Sequence, residues 1–117
     1  MGQSRQGRGG IVAGGSKFKN IPKRVDGILF QSTKEARRYT ELKALQQAGV
    51  IRDLETQPKY RLDVNGVHVT SYYADFKYFD NERKQEIVED VKGIRTQLYI
   101  LKNRLMLAVH GIEVEET

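Results

Sequence analysis

The sequence has 117 residues, with 38% hydrophobic and 30% charged side chains, which is typical of one globular domain and excludes a largely disordered chain. Its net charge of +5 favours a polyanionic partner. The absence of cysteine excludes disulfides and cysteine-ligated zinc. Without a long apolar run or an apolar secretory signal, we expect a cytoplasmic protein that has no membrane partner.

The N-terminal residues differ in composition from the rest of the chain. Residues 1–16 are rich in Gly, Ser, Gln and Arg, and residues 1–24 contain basic but no acidic side chains. We interpret residues 1–20 as a flexible basic arm and residues 21–117 as one domain. Two roles for the arm stay open: loose phosphate binding, or a solubilising tail or cloning remnant.

The first predicted elements are a turn and a helix. An Asp-Gly pair at 26–27 between apolar residues predicts a short hairpin. Ser32 and Glu35 then match a capping box, in which each side chain binds a backbone N–H of the first helical turn. Apolar residues follow at spacings of three and three or four, and Gly49 supplies a stop. An amphipathic helix is therefore predicted over residues 33–48.

In the middle of the chain, side chains alternate in the pattern that is typical of β-strands. An Asn-Gly pair at 65–66 predicts a tight hairpin, and the polar residues 80–83 predict a second turn. Strands are predicted at 58–64, 67–79 and 85–92.

After Gly93 the apolar spacing returns to three or four as far as Val109, which predicts a second helix that Gly111 ends. Residues 112–116 can add a short final strand. The order of helix, three antiparallel strands, helix and strand predicts an α+β fold.

An acidic cluster is the strongest chemical signal. Asp75 lies inside an aromatic-rich strand, and Asp90 and Lys92 share one face of the next strand. If these strands pair, the two aspartates come together, and a hard divalent ion such as Mg²⁺, with Mn²⁺ as a substitute, would relieve their repulsion. Lys92 could orient or deprotonate a water or neutralise phosphate charge, and Glu35 could be a further metal ligand. This arrangement favours phosphodiester hydrolysis.

Structural alternatives exist for each of these residues. An Asp-x-Lys pattern is common by chance, and on an exposed strand it forms only a weak salt bridge. Glu35 also fits the capping box alone. Glu89 is expected to face away from Asp90.

Longer blocks of the sequence carry a family resemblance. The segments STKEARRYTELKALQQAG, DLETQPKY, YYADFKY, VEDVKG and TQLYILKNRL resemble a small phage- and prophage-encoded family that is grouped with PD-(D/E)XK nucleases. The similarity runs from about Asp26 to Val114. It implies a restriction-endonuclease-like fold, with a mixed central sheet flanked by helices in the order αβββαβ, in the cytoplasm of a bacterial host cell.

The resemblance also implies site residues. It assigns five residues to the active site: Asp75, Asp90, Lys92, Glu35 and Gln57. Of these, Asp75, Asp90 and Glu35 would bind the metal. Gln57 has the alternative role of a hydrogen bond at a turn or strand start, and Ala74 replaces the proline that precedes the first aspartate in the superfamily motif.

The second helix supplies candidate nucleic-acid contacts. Thr96, Tyr99 and Lys102 have three-residue spacing on one helix face, and a solvated helix flank is the alternative. We predict a metal-dependent DNA endonuclease that acts on branched recombination or replication intermediates, as Holliday-junction resolvases do, with a homodimer as the form suited to paired cuts. The competing hypothesis is a non-catalytic nucleic-acid-binding phage protein that retains the fold.

Overall fold

The computed structural model describes residues 21–92 and 94–117, so the predicted arm at 1–20 lies outside the described residues and its boundary stays a prediction. The described residues divide into two units, with the boundary between Arg38 and Tyr39. In the first unit, strands β1 (Lys23–Val25) and β2 (Ile28–Phe30) form an antiparallel hairpin. Its turn residues, Asp26 and Gly27, have φ values of 54° and 78°, which confirms the predicted turn because Asp and Gly tolerate this left-handed region.

Helix α1 (Thr33–Gln47) begins in the first unit and ends in the second, in agreement with the prediction. Its N-terminus is capped as expected: the Ser32 hydroxyl accepts the Glu35 N–H at 3.1 Å, and the Glu35 carboxylate accepts the Gln31 N–H at 3.3 Å. At its C-terminus Gly49 has φ 80°, and the Val50 N–H bonds to the carbonyl of Leu45 at 2.9 Å.

A four-stranded mixed sheet organises the second unit. Its strands, in spatial order, are β3 (Ile51–Thr56), β6 (Phe76–Asp80), β7 (Gln85–Asp90) and β8 (Glu115–Glu116). The first three are antiparallel, and β8 is parallel to β7. Helix α2 (Gln97–Leu105) and a π-helical turn (Met106–His110) connect β7 to β8. The α+β class is thus confirmed, and α1, the three antiparallel strands, α2 and β8 follow the order αβββαβ.

Two strands between β3 and β6 form a separate ribbon. Strands β4 (Lys59–Val64) and β5 (Val67–Tyr73) pair with each other around the predicted turn at 65–66, and with no other strand among the described residues. The sequence-based strand assignment was therefore wrong in two places. It missed β3, whose alternation is interrupted by a bulge at Asp53 (φ 58°). It also joined β5 to β6, which the structure separates at residues 74–75.

The central sheet is covered on both faces. On one face Phe76 stacks on Tyr39 of α1, with ring centroids 6.4 Å apart. Val88 of β7 points to the other face, where it joins a buried cluster. The other buried members of that cluster are Leu62, Tyr72, Ala74, Tyr99 and Met106. Strand β7 therefore lies in the interior, and residues 87–90 are all buried.

Helix α2 differs from its predicted register. The helix starts only at Gln97, and the apolar residues Leu98 and Leu101, expected inside, are 58% and 52% exposed. Tyr99 and Met106 are buried instead, and a π-helical turn follows the α-helix before Gly111 ends it. No helix within residues 21–92 and 94–117 has the length and apolar character needed to cross a membrane.

Candidate active site

Asp75 lies where the ribbon joins the central sheet. Its N–H donates to the Glu89 carbonyl at 3.0 Å, and its own carbonyl accepts the Gln57 N–H at 2.9 Å. Its carboxylate accepts the Val91 N–H at 2.7 Å. Since Val91 is the residue between Asp90 and Lys92, the structure brings Asp75 beside the predicted Asp-x-Lys pair.

Asp90 is a buried carboxylate with a donor at each oxygen. Its side chain is 5% exposed. One oxygen accepts the hydroxyl hydrogen of Tyr72, and the other lies 3.2 Å from Nζ of Lys92. A carboxylate that is removed from water needs such partners, because an unpaired buried charge is strongly destabilising. Asp90 and Lys92 therefore form a compensated pair and not the exposed salt bridge considered as an alternative.

Lys92 is held by an aromatic ring as well. Its Nζ lies 3.9 Å from the centroid of the Tyr99 ring, in cation–π contact. The Tyr99 hydroxyl donates to the Glu116 carboxylate at 2.9 Å, and Arg95 Nε lies 3.2 Å from the same Glu116 oxygen. With its side chain 25% exposed, Lys92 is held between Asp90 and Tyr99 but still reaches solvent.

Both tyrosines remain protonated hydrogen-bond donors. Burial raises the pKa of Tyr72, and the hydrogen bond to Asp90 raises it further. Burial likewise raises the pKa of Tyr99, as does its bond to Glu116. Sequence reasoning missed Tyr72 and Glu116 as members of the site, since an aromatic on the buried face of a strand is read as core. A tyrosine beside a buried aspartate is a usable signal, because its hydroxyl needs a partner.

Gln57 lies next to Asp75 and adopts an unusual backbone conformation. Its φ is 54°, a left-handed value that is costly for a residue with a Cβ. The structure shows the turn hydrogen bond that was the alternative role of Gln57, through its N–H to Asp75. A catalytic role for its amide stays a prediction.

The remaining predicted residues have structural contacts. Glu35 belongs to the first unit and caps α1, and its role as a metal ligand stays a prediction. Thr96 is the N-cap of α2 and accepts the Tyr99 N–H at 3.1 Å. Tyr99 is buried, Lys102 is half-buried and Thr96 is exposed. Their contact with nucleic acid stays a prediction.

Glu89 is a second buried acid, on the other face of β7. Its carboxylate accepts the Tyr78 hydroxyl at 2.7 Å and the Thr117 hydroxyl at 3.3 Å. It shares its face with Phe76, its cross-strand neighbour, and therefore points away from Asp90, as the alternation of a strand requires.

The donor set suits a hard divalent cation. Within residues 21–92 and 94–117, no three His, Cys, Asp or Glu side chains are grouped as metal ligands. Mg²⁺, however, commonly uses only one or two carboxylates and fills its other positions with water and substrate oxygens. Asp75 and Asp90 would supply two carboxylates, with the Lys92 ammonium next to Asp90. The two aspartates therefore fit Mg²⁺ or Mn²⁺ better than a softer metal, which prefers nitrogen or sulfur ligands.

Two other features lie outside this cluster. On the ribbon, His68 Nδ1 is 2.7 Å from Asp63, and its Nε2 is 3.5 Å from the Ser71 hydroxyl. Asp63, His68 and Ser71 are therefore linked in the order of an Asp-His-Ser hydrolase triad. They lie exposed on an open sheet face, where water competes for each hydrogen bond. A groove of about 470 Å³ follows β7 between residues 85–88 and 111–115 and contains none of the predicted site residues.

The comparisons with known proteins give one match. The model of a family described as "Protein of unknown function (DUF1064)" matches residues 15–115. No curated protein and no solved structure matches the chain.

Proposed function

We propose a function for this chain, which belongs to the DUF1064 family of proteins of unknown function: it is a metal-dependent endonuclease that hydrolyses phosphodiester bonds of DNA. The observation that carries the proposal is the 2.7 Å hydrogen bond between the Val91 N–H and the Asp75 carboxylate. This bond brings Asp75 together with Asp90 and Lys92 at the end of strand β7, so that two acidic residues and a lysine form one group. Such a group suits phosphoryl chemistry, in which the reacting group is anionic and needs nearby positive charge.

Each residue of the cluster has a distinct proposed role. Asp75 and Asp90 hold the cation, which would polarise the phosphate and lower the pKa of an attacking water. Lys92 stabilises charge on the phosphate oxygens or orients the water. Tyr72 holds the Asp90 carboxylate in place through its hydroxyl, and Tyr99 keeps Lys92 beside Asp90.

The polyanionic substrate is supported by the net charge of +5. The preference for branched recombination or replication intermediates, such as Holliday junctions, comes from the family resemblance of the sequence blocks. Symmetric cuts in two strands would require two active sites, which a homodimer provides. Branched DNA and a homodimer are therefore parts of the proposal.

The test is cleavage by purified protein of a four-way junction, a linear duplex and a single strand, each with Mg²⁺, Mn²⁺ or EDTA. Asp75→Asn and Lys92→Met should each lower the rate at least about 100-fold, the usual loss when one charge-stabilising group is removed. Glu86→Gln is the matched control. Glu86 lies on the same face of β7 as Asp90 but pairs with Lys77, at 3.5 Å, and this variant should cut like wild type.

The outcomes separate the two hypotheses. Cleavage that requires Mg²⁺ or Mn²⁺ and disappears in both site variants supports the nuclease. Unchanged cleavage in folded Asp75→Asn would assign the activity to a contaminant and refute the proposal. Wild type that binds DNA without cutting any form would favour the alternative, a non-catalytic nucleic-acid-binding protein.

A further inference from the structure

The ribbon and the acidic cluster form one continuous ladder of residues. Lys59 is paired with Tyr73, and Arg61 with Ser71. Two residues before Lys59, the Gln57 N–H bonds to the Asp75 carbonyl. Within the ribbon, side chains two residues apart share a face, so Lys59 and Arg61 lie on the face that also carries Tyr73. The backbone hydrogen bonds continue from the ribbon to Asp75.

The two faces of the ribbon have opposite character. The inner face contributes Leu62 and Tyr72 to the buried core, and Tyr60 packs against it. On the outer face Tyr73 is 59% exposed, and Lys59 and Arg61 are exposed too. Within the part of the chain that the structure describes, no other strand pairs with either edge of the ribbon.

The outer face combines positive charge with an exposed aromatic ring. Lys59 Nζ lies 5.9 Å from the centroid of the Tyr73 ring. The Arg61 guanidinium forms an ion pair with Asp63 at 3.4 Å. Asp63 also contacts His68, at the shorter distance of 2.7 Å. Cations beside an exposed aromatic ring are the elements that bind single-stranded nucleic acids: phosphates pair with the cations, and a base stacks on the ring.

We propose that the outer face of the β4–β5 ribbon binds the DNA strand that is cut and guides it to Asp75. This inference rests on the proposed nuclease function. At about 3.3 Å per residue for a fully extended chain, Lys59 and Tyr73 are at most roughly 7 Å from the Gln57–Asp75 pair, and Arg61 is at most roughly 13 Å away. Tyr73 stacks on a base next to the reacting phosphate, and the two cations contact the phosphates that follow. An unpaired strand exposes its bases to Tyr73, so single-stranded segments of DNA are the preferred ligand.

Binding without cutting tests this inference separately from catalysis. Fluorescence anisotropy in EDTA would measure the affinity of the full chain for a labelled single strand and for the matching duplex, over a series of salt concentrations. Lys59→Ala and Arg61→Ala should each weaken binding several-fold and lower the salt slope by about 0.7 for the single strand. Tyr73→Leu should weaken single-strand binding about ten-fold or more with an unchanged slope, and Tyr73→Phe should bind normally.

Lys84→Asn is the matched control. Lys84 is exposed at the end of β7 farthest from Asp90, and asparagine tolerates its φ of 58°. This variant should bind like wild type. Equal weakening by Lys84→Asn and Lys59→Ala would indicate a diffuse charge effect and overturn the inference, as would a wild type that does not bind DNA or a Tyr73→Leu variant that binds normally. If the ribbon variants lose binding but wild type never cuts, the nuclease proposal fails and the binding surface stands.

Discussion

The Lys92 ammonium lies 3.9 Å from the centroid of the Tyr99 ring and 3.2 Å from the Asp90 carboxylate. Lysine has a long flexible side chain, and holding it in one place costs rotamer entropy. The ring and the carboxylate together fix the ammonium at the edge of the cluster, which is where a group that stabilises phosphate charge is needed. The following predictions test this arrangement and its surroundings.

Two substitutions at Tyr99 should distinguish the contribution of its aromatic ring from that of its hydroxyl. Tyr99→Phe keeps the cation–π contact and loses the bond to Glu116, so its free energy of unfolding should fall by about 1 kcal/mol, with cleavage within a few-fold of wild type. Tyr99→Leu removes the ring and should lower the cleavage rate at least about ten-fold, because Lys92 loses its position. Urea unfolding and single-turnover cleavage measure the two effects. Equal cleavage by both variants would show that the ring does not position Lys92.

Tyr72→Phe tests whether the Tyr72 hydroxyl stabilises the protein through its hydrogen bond to the buried Asp90 carboxylate. The variant leaves one oxygen of a buried carboxylate without the donor it has in the wild type, which should lower the free energy of unfolding by about 1–3 kcal/mol. Ser71→Ala, on the outer face of the same strand, is the control and should be close to neutral. Urea denaturation provides the comparison, and a Tyr72→Phe variant as stable as the control would argue that the bond does not contribute.

Alkaline pH should destabilise the protein through two of its buried tyrosines, Tyr72 and Tyr99. Burial raises the pKa of both Tyr72 and Tyr99 above the ordinary value of 10.0, so the unfolded chain loses these protons first. Their contribution to stability is therefore complete below pH 10 and is lost as pH rises above it, by at most about 1.4 kcal/mol per pH unit for each tyrosine. Unfolding midpoints from pH 8 to 11 should fall less steeply in Tyr72→Phe and Tyr99→Phe. Identical slopes in wild type and variants would contradict the role of burial.

Much of the fold was predictable because local chemistry agrees with the tertiary structure. The turns at 26–27 and 65–66 and the caps of α1 use residues whose conformations are encoded locally. The separation of β5 from β6 was not predictable in the same way. Burial alternates without interruption through Tyr72, Ala74, Phe76 and Tyr78, so the pattern is that of one strand. In the structure the chain bends at Asp75, and the hydrogen-bonding partner changes there from β4 to β3 and β7. This choice of partner depends on residues far away in sequence.

The candidate site was predictable in part for a similar reason. The spacing of Asp90 and Lys92 is a local property of an extended chain, and the proximity of Asp75 required only that the neighbouring strands pair. The contact of Lys92 with Tyr99 required the true register of α2. The apolar spacing suggested a face containing Leu98 and Leu101, but both residues are exposed, and the helix buries Tyr99 instead.

Acid pH should destabilise the protein in part through Asp63 of the ribbon. Its hydrogen bond to His68 is the main reason that the pKa of Asp63 lies below its ordinary value of 3.8. A lowered pKa contributes stability that is complete above the unfolded value and is lost as pH falls through the folded value. Thermal unfolding between pH 2 and 6 should therefore lose less stability in Asp63→Asn than in wild type. The exposed acid Glu82 in the turn at 80–84 provides the control, as Glu82→Gln, and a loss that is the same in all three proteins would contradict the prediction.

Gln57 offers a way to separate backbone strain from side-chain function. Its φ of 54° costs about 1 kcal/mol for a residue with a Cβ, and glycine removes that cost but gains about as much freedom in the unfolded chain. Gln57→Gly should therefore change the free energy of unfolding by less than about 1 kcal/mol, whereas Gln57→Ala keeps the strain. Both variants lack the amide but retain the N–H that bonds to Asp75. If the amide contacts the substrate or its attacking water, both should lose cleavage to the same extent despite any difference in stability. If Gln57→Gly cuts at the wild-type rate, the Gln57 side-chain amide has no role in cleavage, and Gln57 contributes through its backbone bond with Asp75.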